Sequence, residues 1–425
     1  MAFAARPGIP LTRGARPGPR RLHPLTARAM PDWMPKEGIP RTALVLSGGG
    51  ARGAYQVGVL RGLADLGVLR SGFDVLVGSS AGAINAAALA AYADAFEDGL
   101  ARLERVWREI HPHDVFRTDP LSLGRIGARW AWDLSFGGVT GRVQANALLD
   151  TSPLHALLDA RVSFARIAAN VRSGALRALA LVATDLGSSN GVVFLQAPPG
   201  TPTWTRRRWR IERARVDARH LMASSAIPIF FPPVEIDGVH FGDGSIRNTA
   251  PLSPAINLGA DRIVAIGVSG PSVPGRRRRR TPPTVAQIAG VLLDAVMLDA
   301  IEVDVEHSER VNASLLHCAG TRDAGQPFRL VDVLWLRPSR RVRELAGEFA
   351  HRVPRALRYL MRGLGSDPSV AELTSYLLFD AGFCGRLIDL GRADVRAEQA
   401  RIKRFFAGED RARARAPDRA RRAGS

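Results

Sequence analysis

Between Thr42 and Ala90 the chain alternates short, wholly apolar runs with helix-like runs, and that order limits the fold more than any other feature. Ala43-Leu44-Val45-Leu46 reads as a strand buried on both faces. A glycine-rich turn follows, then an amphipathic helix with Val57, Leu60, Leu63 and Leu66 on one side and Gly67 as its stop. Phe73-Asp74-Val75-Leu76-Val77 is a second buried strand, and a helix of small residues begins at once. Strand, helix, strand, helix implies an α/β fold with a mainly parallel sheet and right-handed crossovers. Further elements fit that scheme. Helices are expected around Pro153–Ala160 and Phe164–Ser173, and strands at Ala178–Ala183, Ile263–Ile266 and near Val331–Leu336. Asp237-Gly238 between two short alternating runs predicts a two-residue hairpin.

At 425 residues the chain is long enough for two or three cored domains. The expected division is a basic leader over 1–41, a catalytic domain over 42–270 and a basic linker over 271–284. A mainly helical C-terminal extension over 285–402 and an Arg-rich tail over 403–425 complete it. The leader is rich in Arg, Pro and Gly and has no apolar run long enough for a signal-peptide core. It reads as unstructured, or as sequence upstream of a true start at Met30 or Met34 instead of Met1. Ala81 to Phe96 is the best candidate for a membrane span, but it is shorter than the ~20 apolar residues required and carries Asn85 and Asp94. No transmembrane helix is expected. Two cysteines, Cys318 and Cys384, cannot build a disulfide framework or a zinc knuckle, and a reducing, cytoplasmic compartment is the simplest inference.

Three local features carry chemistry. Gly78-Ser79-Ser80-Ala81-Gly82 is a G-x-S-x-G between a strand and a helix, the pattern of a nucleophile elbow. The tight turn strains the serine and needs flanking positions free of obstructing side chains. Ser80 then stands at a helix head, where the dipole favours developing negative charge. Ser79 is the neighbouring alternative but does not hold the central position of the G-x-S-x-G pattern. The second feature is Gly48-Gly49-Gly50-Ala51-Arg52-Gly53. Its spacing also matches a dinucleotide fingerprint, but Asp74 lies at the start of the second strand, the wrong end to hold a ribose. The better reading is a set of bare backbone N–H groups forming an oxyanion hole, where one donor is worth about 3 kcal/mol of barrier. Arg52 either steadies this loop, supplies charge or lies on the surface. The third feature is Asp243-Gly244, at a strand end where a carboxylate can lean over a neighbouring strand tip and act as base.

Together these residues resemble the patatin-like phospholipases, over roughly Thr42 to Ser269. Gly48, Gly49, Gly50, Arg52 and Gly53 match that family's oxyanion motif, and Gly78, Ser80, Ala81 and Gly82 its elbow. Asp243 and Gly244 match its dyad aspartate, and Ala223-Ser224-Ser225-Ala226-Ile227-Pro228 the approach to it. Members frequently carry Asp before the glycine triplet, where this chain has Ser47. The resemblance implies a three-layer α/β/α sandwich, a Ser–Asp dyad without histidine, no cofactor and no catalytic metal. It further implies hydrolysis of fatty-acyl esters of phospholipids or lysophospholipids through an acyl-enzyme. The alternatives are a catalytically idle scaffold that binds lipid or a partner, and a Ser–Asp–His esterase using His307, His317 or His351.

Other clusters have plainer readings. His111-Pro112-His113-Asp114 reads as a surface turn, without a second cluster to complete a metal shell. Of the 59 basic residues only Lys36 and Lys403 are lysine, and the net charge is +19. Trp204 and Trp209 interleave with Arg206–Arg208 and Arg210, a composition suited to transient docking on anionic lipid or to a solvated hairpin. Arg276–Arg280 and the basic tail lack a folded reading module, so no specific nucleic-acid partner is expected. Phe116 to Thr140, with Trp130, Trp132 and Phe136, is the expected apolar flap over the site.

Overall fold

The computed structural model describes residues 41–69, 72–117, 146–204, 207–271, 300–317, 329–354 and 374–408, with isolated positions between 119 and 135 and at 358. Strand β1 (Thr42–Leu46), helix α1 (Gly53–Asp65), strand β2 (Val75–Ser79) and helix α2 (Ala81–Ala90) open the chain in the expected order. Helices α3 (Phe96–Glu109), α4 (Pro112–Val115), α5 (Ser152–Arg161) and α6 (Phe164–Ser173) follow. Next come β3 (Ala178–Asp185), β4 (Asn190–Gln196), β5 (Trp209–Arg213) and α7 (Ala218–Ser224). Strands β6 (Val234–Ile236) and β7 (Val239–Asp243) form the hairpin, whose turn residues Asp237 and Gly238 both have positive φ. The described chain closes with α8 (Ser253–Asn257), β8 (Arg262–Ile266), α9 (Ile301–His317), β9 (Asp332–Leu336), α10 (Val342–Glu348), α11 (Ala381–Ala397) and α12 (Gln399–Ala407).

One sheet of nine strands organises these elements, in the order β5-β4-β3-β2-β1-β8-β9, with β7 added to β3 and β6 to β7. Pairing across β3-β2-β1-β8-β9 is parallel throughout. Side chains of each strand alternate between two apolar layers. Leu44, Leu46 and Leu76 enter the layer that holds α1, α2, α3 and α11, whereas Ala43, Val45, Val75 and Val77 enter the layer beneath α8 and α9. Helices therefore cover both faces, which makes this a three-layer sandwich around a mostly parallel sheet.

The mainly helical C-terminal extension is continuous with the domain before it, because β9 pairs with β8 in the same sheet and α11 joins the main core. Helix α1 meets α11 through glycines: a Cβ at Gly58 would overlap the Ile388 carbonyl, and one at Gly391 would stand 2.6 Å from the Tyr55 carbonyl oxygen. Contact this close needs residues without side chains on the facing surfaces, and it makes the two helices one packing unit. Trp204 and Trp209 differ from a lipid-facing pair. Both pack against the second core layer, and Arg210 pairs with Asp185 and Glu212. The Arg-rich tail expected from 403 begins later, because residues 403–407 complete α12 and bury Phe405. The basic run 276–280, residues 409–425, Trp130 and Phe136 lie outside the described residues, and Trp132 is exposed. No described helix is long and apolar enough to cross a membrane.

Candidate active site

Strand β3 sets the site by its register. Along one edge it pairs with β2 as far as Ser79 opposite Val182. At the next residue β7 takes over the same edge in the antiparallel sense, with Asp243 opposite Ala183. The residue after Ser79 and the last residue of β7 thus meet over adjacent positions of a single strand. Ser80 and Asp243 are 163 positions apart in sequence yet share this scaffold.

Ser80 is 1% exposed and has φ 52°, ψ −128°, a conformation that L-residues avoid and that costs about 1–3 kcal/mol. The surroundings hold it there. Its N–H donates to Ser224 Oγ at 3.0 Å, and Ser224 Oγ donates to the Val182 carbonyl at 2.6 Å. A Cβ at Gly82 would overlap the carbonyls of Leu46 and Ser47, and one at Gly78 would overlap the Gly82 carbonyl, so the turn closes against β1 only with glycine at both positions. Ser80 caps α2, whose ten residues point their N-terminal dipole at it.

Asp243 is fully buried. Its N–H donates to the Ala226 carbonyl at 3.0 Å, and its own carbonyl accepts from Thr184 Oγ1 at 2.8 Å. Oδ1 accepts from the Ser245 N–H at 2.8 Å. Oδ2 has no hydrogen-bond partner among the described residues. The Ser80 hydroxyl also acts on this carboxylate. Burial pushes the Asp243 carboxyl up to about 6, with the Ser245 N–H, the Ser80 hydroxyl and the Ser245 hydroxyl pulling it back down. A carboxylate in that range is a far better base at neutral pH than an exposed one. Gly244 lets this end of β7 close in, since a Cβ there would overlap the Val182 carbonyl.

The glycine turn leans directly on the serine. A Cβ at Gly48 would stand 2.9 Å from Ser80 Cβ, and one at Gly53 would stand 2.9 Å from Ala81 Cβ. Gly49 (φ 163°) and Gly50 (φ 54°) turn the chain into α1. Among the described residues the N–H groups of Gly48, Gly49, Gly50 and Ala81 donate to no protein acceptor. Four such donors beside a hydroxyl can hold an oxyanion. Of the readings open for Arg52, its contacts fit the one that steadies the loop. It is buried, not superficial: Nε donates to Ser375 Oγ at 2.7 Å, and the guanidinium lies 3.9 Å from the centre of the Tyr376 ring. Its fork is committed to the C-terminal segment.

Ser80, Ala81 and Gly50 also line a cavity of about 240 Å3 that runs between α2, α3 and α5. Its walls include Ile84, Leu103, Leu158, Phe231 and Phe379, so an apolar chain fits it. Exposed Arg102, Arg105 and Arg161 stand among its lining residues. His307, His317 and His351 are exposed, and among the described residues no histidine bonds to Ser80 or Asp243. His111, His113 and Asp114 gather within 4.8 Å at the surface and could hold a metal ion, with Asp114 already accepting from the His111 N–H at 2.8 Å.

Ser224, Thr184 and Ser245 are supporting residues to which sequence reasoning gave no role. Ser224 stood within a motif carried over by resemblance, and Ser245 directly follows Asp243-Gly244. Thr184 had no local signal, because it acts across strands.

Uncharacterized NTE family proteins of Mycobacterium tuberculosis and Mycobacterium bovis are 27% identical over 254 residues, 58% of this chain and 54% of theirs. The chain therefore spans about half the length of the curated relatives it matches. Among solved structures, human GIVD cytosolic phospholipase A2 superposes with a TM-score of 0.42 and 14% identity, covering 87% of this chain and 59% of that one. ExoU in its complex with SpcU, from the type III secretion system of Pseudomonas aeruginosa, gives a TM-score of 0.23 and 16% identity, covering 79% and 69%. The sequence model of the patatin-like phospholipases matches residues 44–256, half of the chain and the stretch that holds elbow, glycine turn and aspartate. The chain belongs to the patatin-like phospholipase family.

Proposed function

We propose that this chain is a serine acyl hydrolase that cleaves fatty-acyl esters of phospholipids or lysophospholipids through a Ser80–Asp243 dyad. The observation that carries the reading is the register of β3, which seats a strained serine and a buried carboxylate on consecutive positions. Family membership supports the lipid class of substrate, and the apolar cavity beside Ser80 supports an acyl chain.

In the reaction Asp243 accepts the hydroxyl proton as Ser80 Oγ bonds to the ester carbonyl carbon. Negative charge moves to the carbonyl oxygen, where the N–H groups of Gly48, Gly49, Gly50 and Ala81 receive it. Collapse of this intermediate expels the alcohol, which takes its proton from Asp243, and leaves the acyl-enzyme. Water then attacks with Asp243 again as base, releasing the fatty acid and restoring Ser80. Residues 42–270 carry this chemistry. Approach to anionic membrane surfaces falls to the exposed Arg102, Arg105 and Arg161 at the cavity, which suit phosphate-bearing lipid better than the core-packed Trp204 and Trp209.

Fluorophosphonate labelling of wild type, Ser80→Ala and Asp243→Asn, followed by a panel of lipid esters, tests the reading. Labelling and hydrolysis are expected in wild type only. A wild-type protein that folds, binds lipid vesicles and takes no label would instead be an idle scaffold.

A further inference from the structure

We propose that Gln56, Asn85 and Trp107 form a clamp that orients the oxyanion-binding N–H groups, an inference that rests on the reading of Gly48–Gly50 as the oxyanion cradle. Gln56 and Asn85 are fully buried and Trp107 nearly so. Gln56 Nε2 donates to the Ser47 carbonyl at 2.8 Å and to the Ile266 carbonyl at 3.4 Å. Asn85 Nδ2 donates to the Gly53 carbonyl at 3.1 Å and to Gln56 Oε1 at 2.9 Å. Trp107 Nε1 donates to Asn85 Oδ1 at 2.8 Å.

Every hydrogen of the two amides has an acceptor, and each amide oxygen has a donor. Flipping either amide would set donor against donor, so the chain from indole to Ser47 carbonyl has one direction. Its end point is what matters. The Ser47 carbonyl and the Gly48 N–H belong to one planar peptide unit and point in opposite directions. Fixing the carbonyl through Gln56 therefore aims the first donor of the cradle. Asn85 fixes the Gly53 carbonyl in the same way at the far side of the turn, so Gly48 to Arg52 is bracketed at both ends.

Trp107 adds a link to the substrate. It lines the cavity beside Ser80 and stacks on Phe379 with ring centres 6.3 Å apart. Gln56, Asn85 and Trp107 are positioning residues, since they act on substrate through the turn.

The test uses the full chain and two variants. Gln56→Met keeps length and removes the donor to Ser47, while Trp107→Phe keeps an aromatic wall and removes only the N–H at the head of the chain. For Gln56→Met we expect kcat to fall about 10- to 100-fold with KM within about twofold. Affinity for an acyl trifluoromethyl ketone, which Ser80 converts to a hemiketal oxyanion, is expected to fall by the same factor. Affinity for the matching non-electrophilic alkyl ether is expected to stay unchanged. Trp107→Phe is expected to lose about tenfold in the same pattern. Should Gln56→Met fail to fold, Trp107→Phe decides alone. Folded variants with wild-type kcat and ketone affinity overturn the clamp, and so does an equal loss of ketone and ether affinity, which marks mere support of the cavity. Hydrolysis retained by Ser80→Ala overturns the underlying dyad reading instead, whatever the clamp variants do.

Discussion

The region from β1 to β8 and the region from α9 to α12 share one sheet and both of its apolar layers, yet they contribute different things. The first holds every residue assigned to bond making, and the second supplies none. What the second supplies is backing: Ser375 and Tyr376 receive Arg52, the Tyr376 carbonyl lies where a Cβ on Gly50 would be, and α11 fills the glycine groove of α1. Tyr55 Oη donates to Asp394 at 2.9 Å, and Asp394 also holds the Ser339 N–H at 3.0 Å, tying α1 to α11 and to the loop after β9. The lesson is that a turn built from glycines has little rigidity of its own. Its shape comes from what packs behind it.

Removing the backing is the strongest challenge to this division. A chain ending at residue 373 loses Ser375 to Phe379 and α11, exposing α1 along its glycine face. Loss of cooperative unfolding in circular dichroism is the expected result; a stable, active truncated chain would show that the first region needs no support. Next in size is Asp243→Asn, which probes whether the chemical half gives up stability for function. A carboxyl held at about 6 against an ordinary 3.8 favours the protonated form in the folded state. The penalty is absent below the lower value, grows between the two and is complete above about 6, where it reaches about 3 kcal/mol. Asp243→Asn escapes it. The variant's melting temperature relative to wild type is expected to climb from pH 4 to pH 7 while hydrolysis is lost.

A smaller effect is expected from Arg52→Lys. Lysine keeps the charge but not the fork that reaches Ser375 or the flat face over Tyr376, at a cost of about 2 kcal/mol. Both a lower melting temperature and a lower kcat should follow, because the glycine turn loses its brace. An unchanged kcat with a lowered melting temperature would uncouple the brace from the site. The smallest effect belongs to His307→Gln, His317→Gln and His351→Gln, each expected to stay within twofold of wild-type hydrolysis; an inactive variant would move the base from Asp243 to that histidine.

Legibility in the sequence follows the same division. The elbow around Ser80, the glycine turn and the Asp237-Gly238 hairpin are written in consecutive residues, because each depends on local backbone geometry. Apolar runs likewise declared β1, β2 and β8. The rest depends on partners distant in sequence. Nothing local says that β7 continues the edge of β3 where β2 ends, that Ser224 supports the Ser80 N–H, or that Arg52 turns toward residues 375–376. In the sequence Asn85 counts only against a membrane span, and nothing local points to its partners Gln56, Gly53 and Trp107. The extension over 285–402 is legible as helical runs, but β9 and α11 show what they pack against only beside β8 and α1.

The most direct test of the central claim is the pH dependence of Ser80 modification by a fluorophosphonate, with the labelled residue identified by mass spectrometry. Wild type is predicted to carry the label on Ser80, at a rate that rises with pH through an apparent pKa of about 6 and then levels off, while Asp243→Asn stays slow and flat. A label on another residue, or a wild-type profile that Asp243→Asn leaves unchanged, would contradict the pairing of Ser80 with Asp243 across β3.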